Sequence, residues 1–538
     1  MSDTATPGCV CGPSNARSVQ HAGQICRAMF LLIFLMLGNA RAARATISYT
    51  ISLSQPEEHL FHVEVKIPVD GREITTAFPA WNALYQIRDF AERVRDVTAS
   101  CAALTSIPIE VKKSDKQDWR ISSRAVCAPG DRNTFLIDYA ILWNDPGPFD
   151  SQINPHHAFM NLAEILMYVP NRRSEEATIQ FTNVPSGWQV ATALAPANGN
   201  LYSASNYDSL VDAPVEAGTF DQFRFESDGA PIHVIIDGKD SNKSRLEAGL
   251  HAVTEYELKL MGGSPFDSQD RSYTFIFHMG SSGDAGGGGM EHRNSSAIAC
   301  SSPEECVGIA AHEFFHAWNV KRIRPQSLEP VDYSREQYSR ALWFAEGVSN
   351  TYENFALERT GLWSKEQFYK DLAGQIEILQ SRPARLWQSA EESSLDAWFE
   401  GFPRYADPSR SISYYNKGDI LGVLLDLAIR DATGNRKSLD DVMRLMNDEY
   451  AKQGKLYDDS SGVCRAVEEV SGKDFNDFFA RYVAGTDEIP YDKFLGLAGL
   501  TLTSEPRDGG QRYTIAEAPQ ATARQLRIRK GLLHGTTD

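Results

Sequence analysis

The chain has 538 residues, 42% of them hydrophobic, with 71 Asp plus Glu against 53 Lys plus Arg and a formal net charge of −18. That length is enough for about three domains. The acidity argues against nucleic acid as a partner, since phosphate backbones select basic faces, and is compatible with cationic peptide amino termini.

The first element is Arg27 followed by an apolar run over residues 28–37, then small residues ending in Ala43-Arg44-Ala45. This pattern reads as a secretory signal over residues 1–45, which makes the protein exported, periplasmic or secreted. The run of about ten residues is too short to span a bilayer, where roughly 20 are needed. A long lead-in with no basic residue before Arg17 keeps a later start or an uncleaved anchor open. Losing Arg17, Arg27, Arg41, Arg44 and Asp3 with the signal leaves 49 Lys plus Arg against 70 Asp plus Glu, a net charge of −21. No other stretch is long and apolar enough to cross a membrane. Of the cysteines that remain, Cys101 with Cys127 and Cys300 with Cys306 are disulfide pairs by proximity, with Cys464 left over, and no Cys-x-x-Cys spacing suggests a cysteine zinc site.

Residues 46–225 alternate polar and apolar in short runs, such as Phe61-His62-Val63-Glu64-Val65-Lys66-Ile67 and Ala177-Thr178-Ile179-Gln180-Phe181, which predicts a β-sandwich-like domain. A mixed region follows from 226, with strands expected near residues 233–237 and 273–277. From residue 334 to about 482 the chain reads as mainly helical, with helix starts at Ser364 with Gln367 and at Ser438 with Asp441. The whole is an α+β multidomain protein.

Between those regions lies His312-Glu313-Phe314-Phe315-His316. Ser302 as N-cap, Pro303 at the first position and Glu305 closing a capping box predict a helix there. Four residues are about one turn, so His312 and His316 share a face and form half of a tetrahedral zinc site. Glu313, one residue along, can reach water at the metal without being a ligand, as a general base must. A third ligand is required, and Glu346, 30 residues after His316 in a helix expected over residues 334–359, offers a carboxylate among aromatic residues. Asn350 and Glu353 are candidates to orient the ligands. Lys321, Arg322 and Arg324 just after the metal helix fit either substrate contact or cations complementing a helix end.

The run from His312 to Pro325, His-Glu-Phe-Phe-His-Ala-Trp-Asn-Val-Lys-Arg-Ile-Arg-Pro, resembles the signature of the glycyl aminopeptidase family of gluzincin metallopeptidases. Glu346, in Phe-Ala-Glu-Gly, falls where that family places its third zinc ligand. Phe78-Pro79-Ala80-Trp81 and the run from Asn206 to Glu216 are similar to landmarks of the family's N-terminal region. The resemblance, over roughly residues 46–500, implies a thermolysin-like catalytic domain over residues 226–490, one zinc ion, and removal of small N-terminal residues, glycine and perhaps alanine.

Two further motifs gain meaning from it. Gly287-Gly288-Gly289-Met290-Glu291-His292 resembles the segment by which related aminopeptidases hold a substrate's free amino terminus, which points to Glu291 and to peptides with free amino termini as substrates. Tyr414-Tyr415-Asn416-Lys417-Gly418 opens an apolar helix, and the related Tyr-x-Lys-Gly pattern falls on Tyr415 as a donor to the oxyanion, with Tyr414 as the alternative. A thermolysin-like endopeptidase and a catalytically silent peptide-binding protein remain the competing functions. Family members usually carry a PDZ domain after the segment at residues 496–500; only 38 residues follow Leu500 here, so residues 491–538 are expected to be a truncated, weakly ordered tail. Oligomeric state is not legible in the sequence.

Overall fold

The computed structural model describes residues 46–82, 84–129, 133–238, 242–266, 272–280, 287–400, 407–508 and 510–537. The expected signal, residues 1–45, lies outside the described residues.

The N-terminal region is sheet-rich, as its period-two pattern predicts. The strand Leu60–Pro68 alternates buried and half-exposed residues, placing Phe61, Val63, Val65 and Ile67 in the core. It pairs antiparallel with Ile47–Ser52 on one side and Thr134–Leu142 on the other, at the heart of a sheet that also holds Ala177–Thr182 in parallel with Ile47–Ser52. The disulfide Cys101–Cys127 ties one margin of this region. A smaller sheet orders the strands Gln189–Thr192, Val215–Gly218, His157–Met160 and Gln152–Ile153.

The catalytic region opens on a sheet ordered Asp221–Ser227, Ala230–Gly238, Tyr273–Met279, Ser295–Cys300, Gly288–Glu291. The strand Asp221–Ser227, which spans the boundary expected after residue 225, pairs along its length with Ala230–Gly238. The three central strands run parallel, Tyr273–Met279 and Ser295–Cys300 wholly buried and Ala230–Gly238 partly so, whereas Gly288–Glu291 is antiparallel to Ser295–Cys300 at the edge. Helices Lys243–Met261 and Pro303–Phe315 pack together, and the helical remainder closes around Tyr414–Thr433, whose Ile420, Leu421, Leu424, Leu425 and Leu427 are buried. Among the described residues, no helix is long and apolar enough to cross a membrane.

Two expectations fail. Residues 334–341 are not helical: Asp332 accepts from the backbone and hydroxyl of Ser334 and from Arg335, so local side-chain bonds replace the first turns, and the helix begins only with the π-helical turn Trp343–Gly347 before Val348–Arg359. The tail is ordered. Strands Leu500–Arg507 and Gly510–Glu517 form a hairpin and Ala523–His534 a helix, with Leu500, Ile515, Ile528, Leu532 and Leu533 buried in the catalytic core. It needs no core of its own because it borrows this one.

Candidate active site

The metal helix starts where the sequence places it. Ser302 Oγ accepts from the Glu305 amide at 3.3 Å and Pro303 fills the first position. Glu305 turns back one residue further than a capping box would, to the Ser301 amide at 2.9 Å. The disulfide Cys300–Cys306 links the end of a central strand to the helix's first turn and so fixes where the helix points. Its last turn brings the rings of His312 and His316 to 4.5 Å, with their Nε2 atoms 2.9 Å apart.

His316 closes the helix, and its Nδ1 lies 2.5 Å from the Asn319 carbonyl oxygen. A carbonyl only accepts, so Nδ1 carries the proton and Nε2 keeps its lone pair toward His312. The Asn319 amide in turn donates to the carbonyls of Phe344 and Ala345 at 2.9 and 3.2 Å, in the π-helical turn. The wider turn exposes carbonyls that an α-helix would use internally, and Asn319 takes them up. Glu346 is thereby held with Oε2 at 3.2 Å from His316 Nε2 and 3.6 Å from His312 Nε2. Burial works against its charge, but His316 and His312 outweigh it and hold the carboxyl well below its usual range. Burial likewise opposes a charge on His316, and Glu346 overrides it, pushing that imidazole up to about 9; burial and His316 lower His312.

The donor atoms of His312, His316 and Glu346 lie within 4.8 Å of one another, all buried. Two imidazole nitrogens and a carboxylate oxygen converging in a buried space are the ligand chemistry of zinc. These residues fit the ion. Glu353 Oε2 lies 3.8 Å from His312 Nδ1, beyond hydrogen-bond distance.

Glu313 is 4% exposed, and its Oε2 is buried without a hydrogen-bond partner. Burial pushes its pKa well above the usual carboxylate range; His316 opposes this, while Glu291, Glu346 and Glu353 reinforce it. Its position depends on a glycine in the edge strand. A Cβ on Gly289 would stand 2.3 Å from Glu313 Oε1, so only a glycine lets the strand pass this closely.

Two residues after Gly289, Glu291 borders a cavity of about 240 Å³ whose wall includes Trp81, Asn82, Tyr85 and Arg324. Lys321 Nζ lies 3.8 Å from Glu291 but 3.2 Å from Asp212, which also pairs with His292 Nδ1 at 3.1 Å. Burial opposes the charge of Asp212, and Lys321 and His292 outweigh it. No spacing in the sequence points to Asp212 by itself; its signal is its place in the run from Asn206 to Glu216. Arg322 bonds the Ala317 carbonyl at 2.7 Å, a helix-end role, whereas Arg324 pairs with Glu329 at the cavity. Tyr415 rather than Tyr414 stacks over His312, ring centroids 6.4 Å apart at 29°. Glu313, Glu291 and Tyr415 therefore lie beside the trio of His312, His316 and Glu346.

A helix presenting two imidazoles, joined by a carboxylate from the next helix and flanked by an edge strand, defines a zinc metallopeptidase. The family model for M61 glycyl aminopeptidase matches residues 305–421, and that for the Peptidase M61 N-terminal domain matches residues 48–219. The chain belongs to the M61 glycyl aminopeptidase family. The fold matches an aminopeptidase N family protein from Idiomarina loihiensis, with a TM-score of 0.79 and 24% identity over 86% of this chain and 79% of that one. Similarity extends to an M1 zinc metallopeptidase from Deinococcus radiodurans crystallised with a Tyr-Ser-Ala substrate (TM-score 0.48, 12% identity, 83% and 94% covered). It also extends to native yeast LTA4 hydrolase (TM-score 0.47, 13% identity, 84% and 72% covered). No curated protein sequence matches the chain.

Proposed function

We propose that this zinc aminopeptidase removes single small residues, glycine and alanine, from the free amino termini of peptides, and that it does so after export. The observation that carries the specificity is Glu291: a carboxylate on the edge strand, two residues from the glycine that seats Glu313, facing a cavity of about 240 Å³. A substrate ammonium held by Glu291 brings the first peptide bond toward Glu313, and a cavity of that size suits a short first side chain better than a long one. Lys321 does not cancel Glu291, because Asp212 is its closer partner.

His312, His316 and Glu346 would hold the zinc, which when bound supplies Lewis acidity to water and to the scissile carbonyl. Glu313 takes a proton from the attacking water and passes it to the departing nitrogen, a two-way role suited to a buried carboxyl with an unpartnered oxygen. The Tyr415 phenol, beside His312, donates to the developing oxyanion without adding charge. Export is supported by the two disulfides, which persist in oxidising compartments.

The test is hydrolysis of glycine, alanine and leucine anilides and of matched N-acetylated peptides, with zinc quantified and a chelator control. Chelator-sensitive release from glycine and alanine anilides, with blocked peptides untouched, is the expected result. Cleavage of blocked peptides would instead identify an endopeptidase, and bound zinc with no turnover a binding protein.

A further inference from the structure

A second group of metal-type donors lies outside the peptidase centre, where the smaller N-terminal sheet meets the catalytic sheet. His157 comes from the strand His157–Met160 and Glu216 from its neighbour Val215–Gly218. Asp237 and His278 are register partners on the adjacent parallel strands Ala230–Gly238 and Tyr273–Met279. His157 Nδ1 is 2.9 Å from Glu216 Oε1 and 3.4 Å from Asp237 Oδ2, and His278 Nε2 is 3.0 Å from Glu216 Oε2. His157, Glu216 and His278 are 6%, 0% and 4% exposed.

In the catalytic trio the same three donor atoms lie 2.9, 3.2 and 3.6 Å apart; here the two imidazoles meet different oxygens of Glu216, and one donor atom each from His157, Glu216 and His278 lies within 4.8 Å of the others. Separations of this order suit a tetrahedral zinc ion, whose bonds of about 2.0–2.1 Å set neighbouring ligand atoms roughly 3.3 Å apart. The donor set repeats, two imidazoles and a glutamate, here with Asp237 as a fourth group. Glu216 is fully buried while the Asp237 side chain is 30% exposed, and two carboxylates this close need positive charge beside them, which a divalent ion supplies. The Gln152 side-chain amide abuts His157 Nε2. The atom facing the ring is the amide nitrogen; flipping the amide turns its oxygen to the ring, where it accepts the Nε2 proton and leaves the Nδ1 lone pair toward Glu216. None of the four residues borders the cavity beside Glu291, and only Asp237 among them reaches solvent to any extent.

We propose that His157, Glu216, Asp237 and His278 bind a second divalent ion of the zinc class, which pins the N-terminal sheet to the catalytic sheet. The experiment counts zinc per chain by elemental mass spectrometry in the full exported chain, in His316→Ala, and in His316→Ala combined with Glu216→Gln. Expected are about two, about one and about none. One zinc in the parent and none in His316→Ala would overturn the proposal and leave the cluster a protonated hydrogen-bond network. Should the double variant fail to fold, His316→Ala alone loaded with cobalt decides: visible ligand-field bands abolished by one equivalent of zinc support the site, and a featureless spectrum overturns it.

Discussion

Glu313 and Glu257 show how differently two buried carboxyls are used. Glu313 has one unpartnered oxygen, beside the metal ligands. Glu313→Gln keeps the shape and loses the base, so kcat should fall on the order of 10²–10⁴-fold while bound zinc, measured by elemental analysis, is unchanged. Retained turnover would remove Glu313 from the mechanism. Glu257, in the helix Lys243–Met261, is fully buried with neither oxygen bonded. Burial, reinforced by Glu353, raises its pKa well above the usual range. Its folded form therefore holds a proton that the unfolded chain releases once pH passes the ordinary carboxyl value, and stability declines as pH rises through that window. Glu257→Met should stabilise by about 1–3 kcal/mol, with a Tm advantage that widens from pH 5 toward neutrality; an advantage that narrows over that range would contradict the assignment.

At the scale of elements, the third ligand depends on how the π-helical turn meets the helix Tyr414–Thr433. A Cβ on Gly418 would stand 2.2 Å from the Trp343 carbonyl oxygen, a backbone atom with no room to yield. Gly418→Ala should therefore push the turn carrying Glu346 away. The expected loss is about 1–3 kcal/mol of stability together with weaker zinc binding, read by urea denaturation and by competition with a chromophoric chelator. Weakened stability with unchanged zinc affinity would show that the turn moves without its ligand. Helix starts at Ser302, Ser364 and Ser438 were legible because capping is local chemistry written in neighbouring residues. The start expected at residue 334 was not: nothing in the sequence pattern weighs Asp332's bonds to Ser334 and Arg335 against a first helical turn.

Across the whole molecule, the C-terminal helix acts as a clasp. The Leu532 carbonyl accepts from Arg359 at 3.1 and 3.0 Å, and the Thr536 carbonyl from the fully buried Arg430 at 2.8 Å. Truncation before Ala523 exposes the surface covered by Ile528, Leu532 and Leu533 and takes one carbonyl acceptor from each arginine, leaving Asp440 to Arg359 and Asp426 to Arg430. About 5 kcal/mol should be lost, visible as a lower urea midpoint. An unchanged midpoint would mean that the helix merely rests on the surface.

The sequence by itself determined the chemistry that depends on short spacings. One helical turn puts His312 and His316 on a common face, the next residue supplies Glu313, and an alternating pattern makes Phe61, Val63 and Val65 a buried strand face. Glu346 was reached through the need for a third ligand and then through motif resemblance, and Glu291 and Tyr415 through resemblance alone, since no local rule ties a residue to a partner tens of positions away. Tertiary structure alone decided what lies between distant segments. Asp212 meets Lys321, the tail joins the catalytic core, and His157 and Glu216 face Asp237 and His278 across two sheets. Those meetings follow from how the layers pack, and packing is a property of the whole chain that periodicity, which sees one element at a time, does not encode.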